Sequence, residues 1–317
     1  MKRHISIFIL ALIAAAFASC DRIDVAGIFN GSSPHHDARF KQSMAYNDQY
    51  GYNESGLATI YAADNYYTIY WGTDVHVAGT TVLLDSFVNM ALEDYSCEAI
   101  VFCGDIIDAK NNYPLFYKAL EPAEISGMPL FCTPGNHDLC FSQWTEYVEY
   151  WKTACYWFQV ITPSGEKDLY ISVDSADATL GRAQFNWLRD LLAKKSKEGY
   201  RHIIVFSHTH MFKKDSNNAN GAHFNMEEIY DITSLLSKYH VEYYMNGHDH
   251  TPEVTIYKNV HYVTVGSMKD TYKERAAYAV TTMYGKHIDM SIYRMDGQDY
   301  WFDDESDYDD EELYGND

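Results

Sequence analysis

From about residue 66 onward, short apolar β-rich runs alternate with segments whose apolar residues recur at helical spacing. That alternation is the pattern of an α/β protein. It predicts strands over 67–72, 99–103, 129–132, 169–173, 202–206 and 242–245, and helices over 81–95, 112–120, 143–150, 182–195 and 226–239. Mostly β runs follow, over 254–257, 261–265, 277–282 and 287–293, with no internal repeat. In the helix over 182–195, Gln184, Leu188 and Leu192 share one face, which reads as core packing.

The N-terminal pattern is different. Lys2 and Arg3 precede an apolar run over 5–17 broken only by Ser6, and Phe17-Ala18-Ser19-Cys20 follows. A basic start, a short apolar run and small residues make a secretory signal peptide over 1–19. The run falls short of the roughly 20 residues of a membrane span. Its small-small-Cys ending resembles the lipobox of bacterial lipoproteins, which implies lipidation of Cys20, export and membrane attachment. Residues 20–65 then read as the lipidated cysteine and a tether, polar and Gly/Ser/Pro-containing over 21–37, with room for one short helix. His35-His36 within it is assigned no metal.

Charge divides the chain again. The 317 residues carry a formal charge of −21, and nine acids with no base fall between Asp303 and Asp317. Such a run self-repels and has little to bury, so 296–317 reads as a disordered acidic tail. The folded domain is thereby bounded to 66–295. An acidic surface repels polyphosphate backbones and argues against nucleic-acid partners, although a bound metal can reverse the local field for one phosphate. The six cysteines include no C-x-x-C pair. Cys103 and Cys132 lie in apolar runs as buried thiols, and a Cys140–Cys155 bridge is one possibility in an exported chain.

The chemistry follows the strands. Asp74-Val-His76 comes after the first, Gly104-Asp105-Ile-Ile-Asp108 after the second, and Gly135-Asn136-His137-Asp138 after the third. Ser207-His208 and Gly247-His248-Asp249-His250 end the fifth and sixth. Open α/β sheets build sites at strand carboxyl ends, so five strand exits deliver Asp, Asn and His toward one crevice. The donors are oxygen and imidazole without thiolate, a set suited to divalent Mn, Fe or Zn, and large enough for two ions. Two such ions can clamp a displacement at phosphorus and acidify a shared water.

In this order the five motifs resemble the calcineurin-like metallophosphoesterase superfamily. The resemblance implies a four-layer α/β/β/α sandwich that hydrolyses phosphate mono- or diesters through a metal-bridging hydroxide. Asp74, His76 and His250 would bind one metal; Asn136, His208 and His248 would bind the other; Asp105 would bridge. His137 would face the substrate and protonate the leaving oxygen, with Asp138 orienting its ring or raising its pKa. Asp108 would orient rather than ligate, and His210 would be the rival to His208. Asn136, and His223 in the loop beyond, would contact the small phosphorylated substrate.

Departures from subfamily patterns narrow the resemblance. The arginines of protein Ser/Thr phosphatases are missing, since Ala109-Lys110 follows Asp108 and Pro134 precedes Gly135. Asp108 stands where purple acid phosphatases place a ligating Tyr, and His137 is intact where the lipid A pathway pyrophosphatases have Arg. What remains is similar to small bacterial phosphohydrolases and cyclic-nucleotide phosphodiesterase-like members. A rival of another class is a surface lipoprotein binding module with a structural metal site and no turnover.

Overall fold

The structure, a computed structural model, describes residues 34–212, 223–272 and 275–296. The expected signal peptide, Cys20 and the acidic run from residue 297 onward lie outside the described residues. Among the described residues no helix is long and apolar enough to cross a membrane.

Two sheets stack face to face. One has the order β12(His287–Arg294), β11(Ala277–Tyr284), β2(Tyr66–Gly72), β3(Cys97–Phe102), β4(Leu130–Cys132), and its β2, β3 and β4 run parallel. The other has the order β1(Ala58–Tyr61), β5(Tyr156–Ile161), β6(Lys167–Ser172), β7(His202–Phe206), β8(Tyr243–Asn246), β10(Val260–Thr264), β9(Glu253–Tyr257). Its β6, β7, β8 and β10 are mutually parallel.

The pleat of each strand explains the layering, because successive side chains face opposite sides. Tyr67, Ile69 and Trp71 of β2 and Ala99 and Val101 of β3 point inward and meet Phe158, Tyr170, Phe206 and Met245 of the second sheet. The alternate residues Tyr70, Ile100 and Phe102 face outward onto α3(Val82–Glu93), α4(Tyr113–Ser126) and α5(Trp144–Trp151) through Phe87, Phe116 and Tyr147. On the far side, Leu169, Ile171, Ile203 and Val205 pack on Leu188 and Leu192 of α6(Gly181–Lys195) and on Ile232 and Leu236 of α7(Met226–Lys238). The result is the four-layer α/β/β/α sandwich. Each such apolar side chain contributes roughly 1.5–3 kcal/mol by leaving water, and the stack is rigid enough to aim the loops at its edge.

The packed region begins earlier than residue 66. Residues 36–50, expected as tether with room for one short helix, form the longer helix α1(His36–Tyr50), followed by α2(Tyr52–Ser55) and the edge strand β1, which pairs parallel with β5. Helix α1 buries a polar face. Arg39 forms a two-pronged ion pair with Asp174 at 2.7 and 3.1 Å and a further one with Asp177 at 2.9 Å. Ser43 Oγ accepts the Ala154 N–H, and Asn47 Nδ2 donates to the Cys155 carbonyl at 2.7 Å. Strand β5 was also unexpected. Cys155 is a free, buried thiol that donates to Gln184 at 2.9 Å, so it makes no bridge to Cys140. Cys97, Cys103 and Cys132 are likewise free and buried.

Candidate metal centre

Three parallel strands of one sheet and two of the other end at the same edge, and the expected residues leave from those ends. Asp74 and His76 follow β2, Asp105 and Asp108 follow β3, and Asn136, His137 and Asp138 follow β4. His208 follows β7, and His248 and His250 follow β8. The backbone bends hard to present them. Asp74, His76, Asp105, His248 and His250 all have positive φ, between 46° and 75°. Each costs on the order of 1–3 kcal/mol and persists because the surroundings over-determine it. Gly104, at φ +86°, sits where a Cβ would lie 2.6 Å from the Gly135 nitrogen, and a Cβ on Gly247 would overlap Thr73 Oγ1 and Asp74 Oδ2. The glycines of the motifs are thus where backbone must pass against backbone.

At this edge three groups of candidate ligands each have donor atoms within 4.8 Å of one another; His76, Asp108 and His137 make the outer one, and two deeper clusters hold the buried carboxylates. Asp74, His76 and His250 form one, with His76 Nε2 3.0 Å from His250 Nε2 and Asp74 Oδ1 3.1 Å from the latter. Asp105, His208 and His248 form the other; His208 Nε2 lies 3.1 Å from both Asn136 Oδ1 and His248 Nδ1. Between them stands Asp105, whose Oδ2 is 3.7 Å from His76 Nε2 and 3.4 Å from His208 Nε2.

The outer atoms of these groups are fixed. His76 Nδ1 binds Asp108 Oδ1 at 2.6 Å, and His208 Nδ1 binds the Cys103 carbonyl at 2.8 Å. In each ring this leaves Nε2 aimed inward, the arrangement that orients a metal-ligating imidazole. Asp74 Oδ2 accepts from Thr73 Oγ1 and the His248 N–H, while its Oδ1 is buried without a well-formed hydrogen bond. Asp105 Oδ1 accepts the His137 N–H at 2.7 Å, leaving Oδ2 to face inward. A buried, inward-facing set of carboxylate, amide and imidazole atoms fits divalent ions.

Electrostatics supports the same fit. Burial alone would raise the Asp74 and Asp105 carboxyls, yet the histidines around them hold both well below the usual carboxylate range. Burial alone would lower His76 and His208, yet Asp108, Asp74 and Asp105 push His76 up to about 10, and Asp105 and Asp74 push His208 up to about 9. Burial and the neighbouring His208 and His210 drive His248 well below the ordinary histidine value, which leaves its ring neutral and ready to donate a lone pair. In the protein alone, therefore, protons on two imidazoles offset the two buried carboxylates, and a cation would take their place.

His137 sits at the opening, 38% exposed, its ring edge-on to that of His76 with centroids 4.5 Å apart. Burial lowers its pKa. The expected partner is corrected. Asp138 does not serve the ring: its oxygens accept the backbone N–H groups of Asp105, Gly135 and Ile106 at 2.9, 2.8 and 3.2 Å. It is fully buried, and burial beside Asp105 raises it to about 7. It splices the second and third motif loops together. The carboxylate facing His137 Nδ1 is Asp108, at 3.8 Å.

His210 stays outside both ligand clusters, its ring 5.4 Å from that of His248 and 5.0 Å from that of His223. His223 is exposed, 6.2 Å from His248 ring to ring, on the same flank. One loop went unread. After β10, Ser267 Oγ donates to the Asp74 carbonyl at 2.7 Å, Lys269 Nζ reaches Asp108 Oδ2 at 3.0 Å, and Tyr272 Oη lies 3.5 Å from His250 Nδ1. The available signal was topological: β10 is a predicted strand that runs parallel to β8, so its exit opens onto the same edge.

The family pattern described as calcineurin-like phosphoesterase matches residues 67–252. The chain belongs to that family. It is a metal-dependent phosphoesterase, and the two donor clusters are its candidate metal centre. Among solved structures, a dimetal phosphatase from Danio rerio is 16% identical with a TM-score of 0.54, over 74% of this chain and 98% of that one. A purple acid phosphatase from yellow lupin (Lupinus luteus) seeds is 17% identical with a TM-score of 0.60, over 75% of this chain but 53% of that one. GAP50, the anchor in the inner membrane complex of Plasmodium, is 15% identical with a TM-score of 0.56, over 74% and 87%. At these identities the likeness is one of fold. Comparison with curated proteins finds no match.

Proposed function

We propose that this phosphoesterase holds two divalent ions and hydrolyses phosphate mono- or diesters. The observation that carries the reading is Asp105: a single carboxylate oxygen faces both clusters, at 3.7 Å from one inward imidazole nitrogen and 3.4 Å from the other. Asp74, His76 and His250 would hold one ion, Asn136, His208 and His248 the second, and Asp105 both. When bound, two such ions withdraw charge from phosphoryl oxygens and lower the pKa of water.

The protein's own groups supply the rest. His137, whose Nδ1 faces Asp108 at 3.8 Å, would donate a proton to the leaving oxygen. Burial lowers its pKa toward the neutral ring, while the charges of Asp105 and Asp108 act the other way and favour the protonated form that can donate. Asp108 steadies two rings at once, His76 by a short hydrogen bond and His137 from 3.8 Å. Asn136 and the exposed His223 flank the approach of the substrate. The identity of the ions, Mn, Fe or Zn, follows from measurement rather than from the donor set.

The test is metal analysis and turnover of one reconstituted sample on matched aryl mono- and diesters. Two ions per chain with chelator-sensitive turnover supports the reading. One ion per chain, or full turnover after chelation, overturns it. Export and attachment through lipidated Cys20 is a separate proposal, resting on the 1–20 pattern, and the mass of the mature N-terminus decides it.

A further inference from the structure

The loop after β10 carries a charge that the reading above does not use. We infer that Lys269 contacts the phosphoryl group directly and biases the enzyme toward phosphate monoesters over diesters. The inference rests on the proposed phosphoesterase reading and names the substrate class of that same site.

The first argument is placement. Lys269 Nζ lies 3.0 Å from Asp108 Oδ2, and Asp108 in turn faces His137 Nδ1 at 3.8 Å. Lys269 and Asp108 are 25% and 28% exposed, and His137 is 38% exposed, so all three border the opening while the ligand atoms lie beneath. Among the described residues whose contacts join this cluster, Lys269 is the one with a permanent positive charge. It therefore stands at the site's mouth beside the proposed proton donor, in a chain of net charge −21.

The second argument is valence. An ammonium has three donors, and the bond to Asp108 takes one. Asp108 is also committed elsewhere, since its other oxygen holds His76 Nδ1 at 2.6 Å. Lys269 is thus anchored by a partner that already has another task, with two N–H groups to offer. A monoester dianion presents three terminal oxygens and nearly two charges. A diester presents two terminal oxygens and one charge, and where the third oxygen would be it carries a substituent that gains nothing from an ammonium. A point cation at this place rewards the monoester.

The third argument is rigidity. The backbone that carries Lys269 is tied on both sides. Met268 N–H donates to the Thr73 carbonyl at 3.1 Å, and Lys269 N–H donates to Ser267 Oγ at 3.2 Å. The next residue, Asp270, accepts the Val82 and Leu83 N–H groups at the start of α3 at 3.1 and 2.9 Å. A charge held on so fixed a base loses little freedom on meeting a ligand.

The experiment compares wild type, Lys269→Met and Lys269→Arg, each metal-reconstituted and assayed for metal content. The substrates are 4-nitrophenyl phosphate and methyl 4-nitrophenyl phosphate, and inorganic phosphate binding is measured by calorimetry. The expected result for Lys269→Met is a fall in the monoester-to-diester ratio of kcat/KM of about 10- to 100-fold, the range for a lost charged hydrogen bond. The loss sits mainly in KM, phosphate affinity weakens by a similar factor, and Lys269→Arg recovers most of both. An equal loss on both esters with unchanged phosphate affinity overturns the inference, because Lys269 then acts only through Asp108. If Lys269→Met does not fold, Lys269→Gln, which keeps a donor for Asp108, carries the same comparison. Wild type that turns over neither ester and binds no phosphate refutes the phosphoesterase reading and this inference with it; an active wild type with an unshifted ratio in the variant refutes the inference alone.

Discussion

The two halves of the candidate centre are built to different rules. Around His76 the supports are charged side chains: Asp108 holds the ring, Lys269 holds Asp108, and His250 and His137 stand partly open beside them. Around His208 the supports are backbone and burial: the ring is fully buried, its outer nitrogen is bound by the Cys103 carbonyl, and Asn136 Oδ1 is its neighbour. A side-chain support can be tuned by one substitution and responds to charge. A carbonyl support is set by the fold and moves only if the backbone moves. The open, tunable half is also the half that carries the proposed proton donor.

The largest break is Asp105→Asn, which removes the charge both halves share. Activity should fall by at least about 10³-fold and both ions should be lost, beyond what loss of a supporting hydrogen bond costs; metal content and kcat on one sample check it. Asp108→Asn should separate the halves. It should cost about 10- to 100-fold in activity or affinity and loosen one ion before the other in a chelator titration. If both ions leave together, the two halves are not independent.

Gly104→Ala attacks the backbone-supported half. A Cβ there would lie 2.8 Å from His208 Nδ1, at a φ that alanine resists. Thermal or denaturant unfolding should register a loss of about 1–3 kcal/mol, with the ion assigned to His208 weakened more than the other.

The last break is pH, which acts on both halves at once. His76 and His208, pushed up to about 10 and about 9, hold protons at neutrality in the metal-free protein. Ion binding must release them, so affinity should rise with pH by up to about tenfold per unit for each proton displaced. The same raised values stabilise the metal-free fold fully below the ordinary histidine pKa of about 6.5, and that contribution disappears as pH rises through about 9 to 10. Melting curves at pH 7 and pH 10, with chelator and with metal, should show the loss only in the chelated sample.

Most strands and helices of the sandwich, and every residue of the two donor clusters, were legible along the chain. Strand ends bearing Gly-Asp, Gly-Asn-His and Gly-His announce a site because few folds need those groups there. That α1 is long and packs into the fold was not legible, for a definite reason. Its buried positions Arg39, Ser43 and Asn47 recur at helical spacing but are polar, and they are held by Asp174, Asp177, Ala154 and Cys155, more than a hundred residues away. No apolar periodicity marks such a face. Strand β1 shows the same limit: it exists by pairing with β5 across the same distance, and one of its four residues is buried. Asp138 was misread because adjacency to His137 along the chain suggested a partnership that the turn forbids, sending the carboxylate back to the Gly135, Asp105 and Ile106 amides.

By itself the sequence determined the donor types, the strand ends that carry them, and the family the chain belongs to. Local rules suffice for that, since alternation sets the strand faces and glycine permits the turns. Which ring each carboxylate supports, and that Lys269 meets Asp108 at the site's edge, were decided only by tertiary structure. Those relations join residues far apart along the chain, 161 positions in the Asp108–Lys269 pair. They depend on how two sheets stack and on which strand exits share an edge, and no segment of the chain encodes them alone.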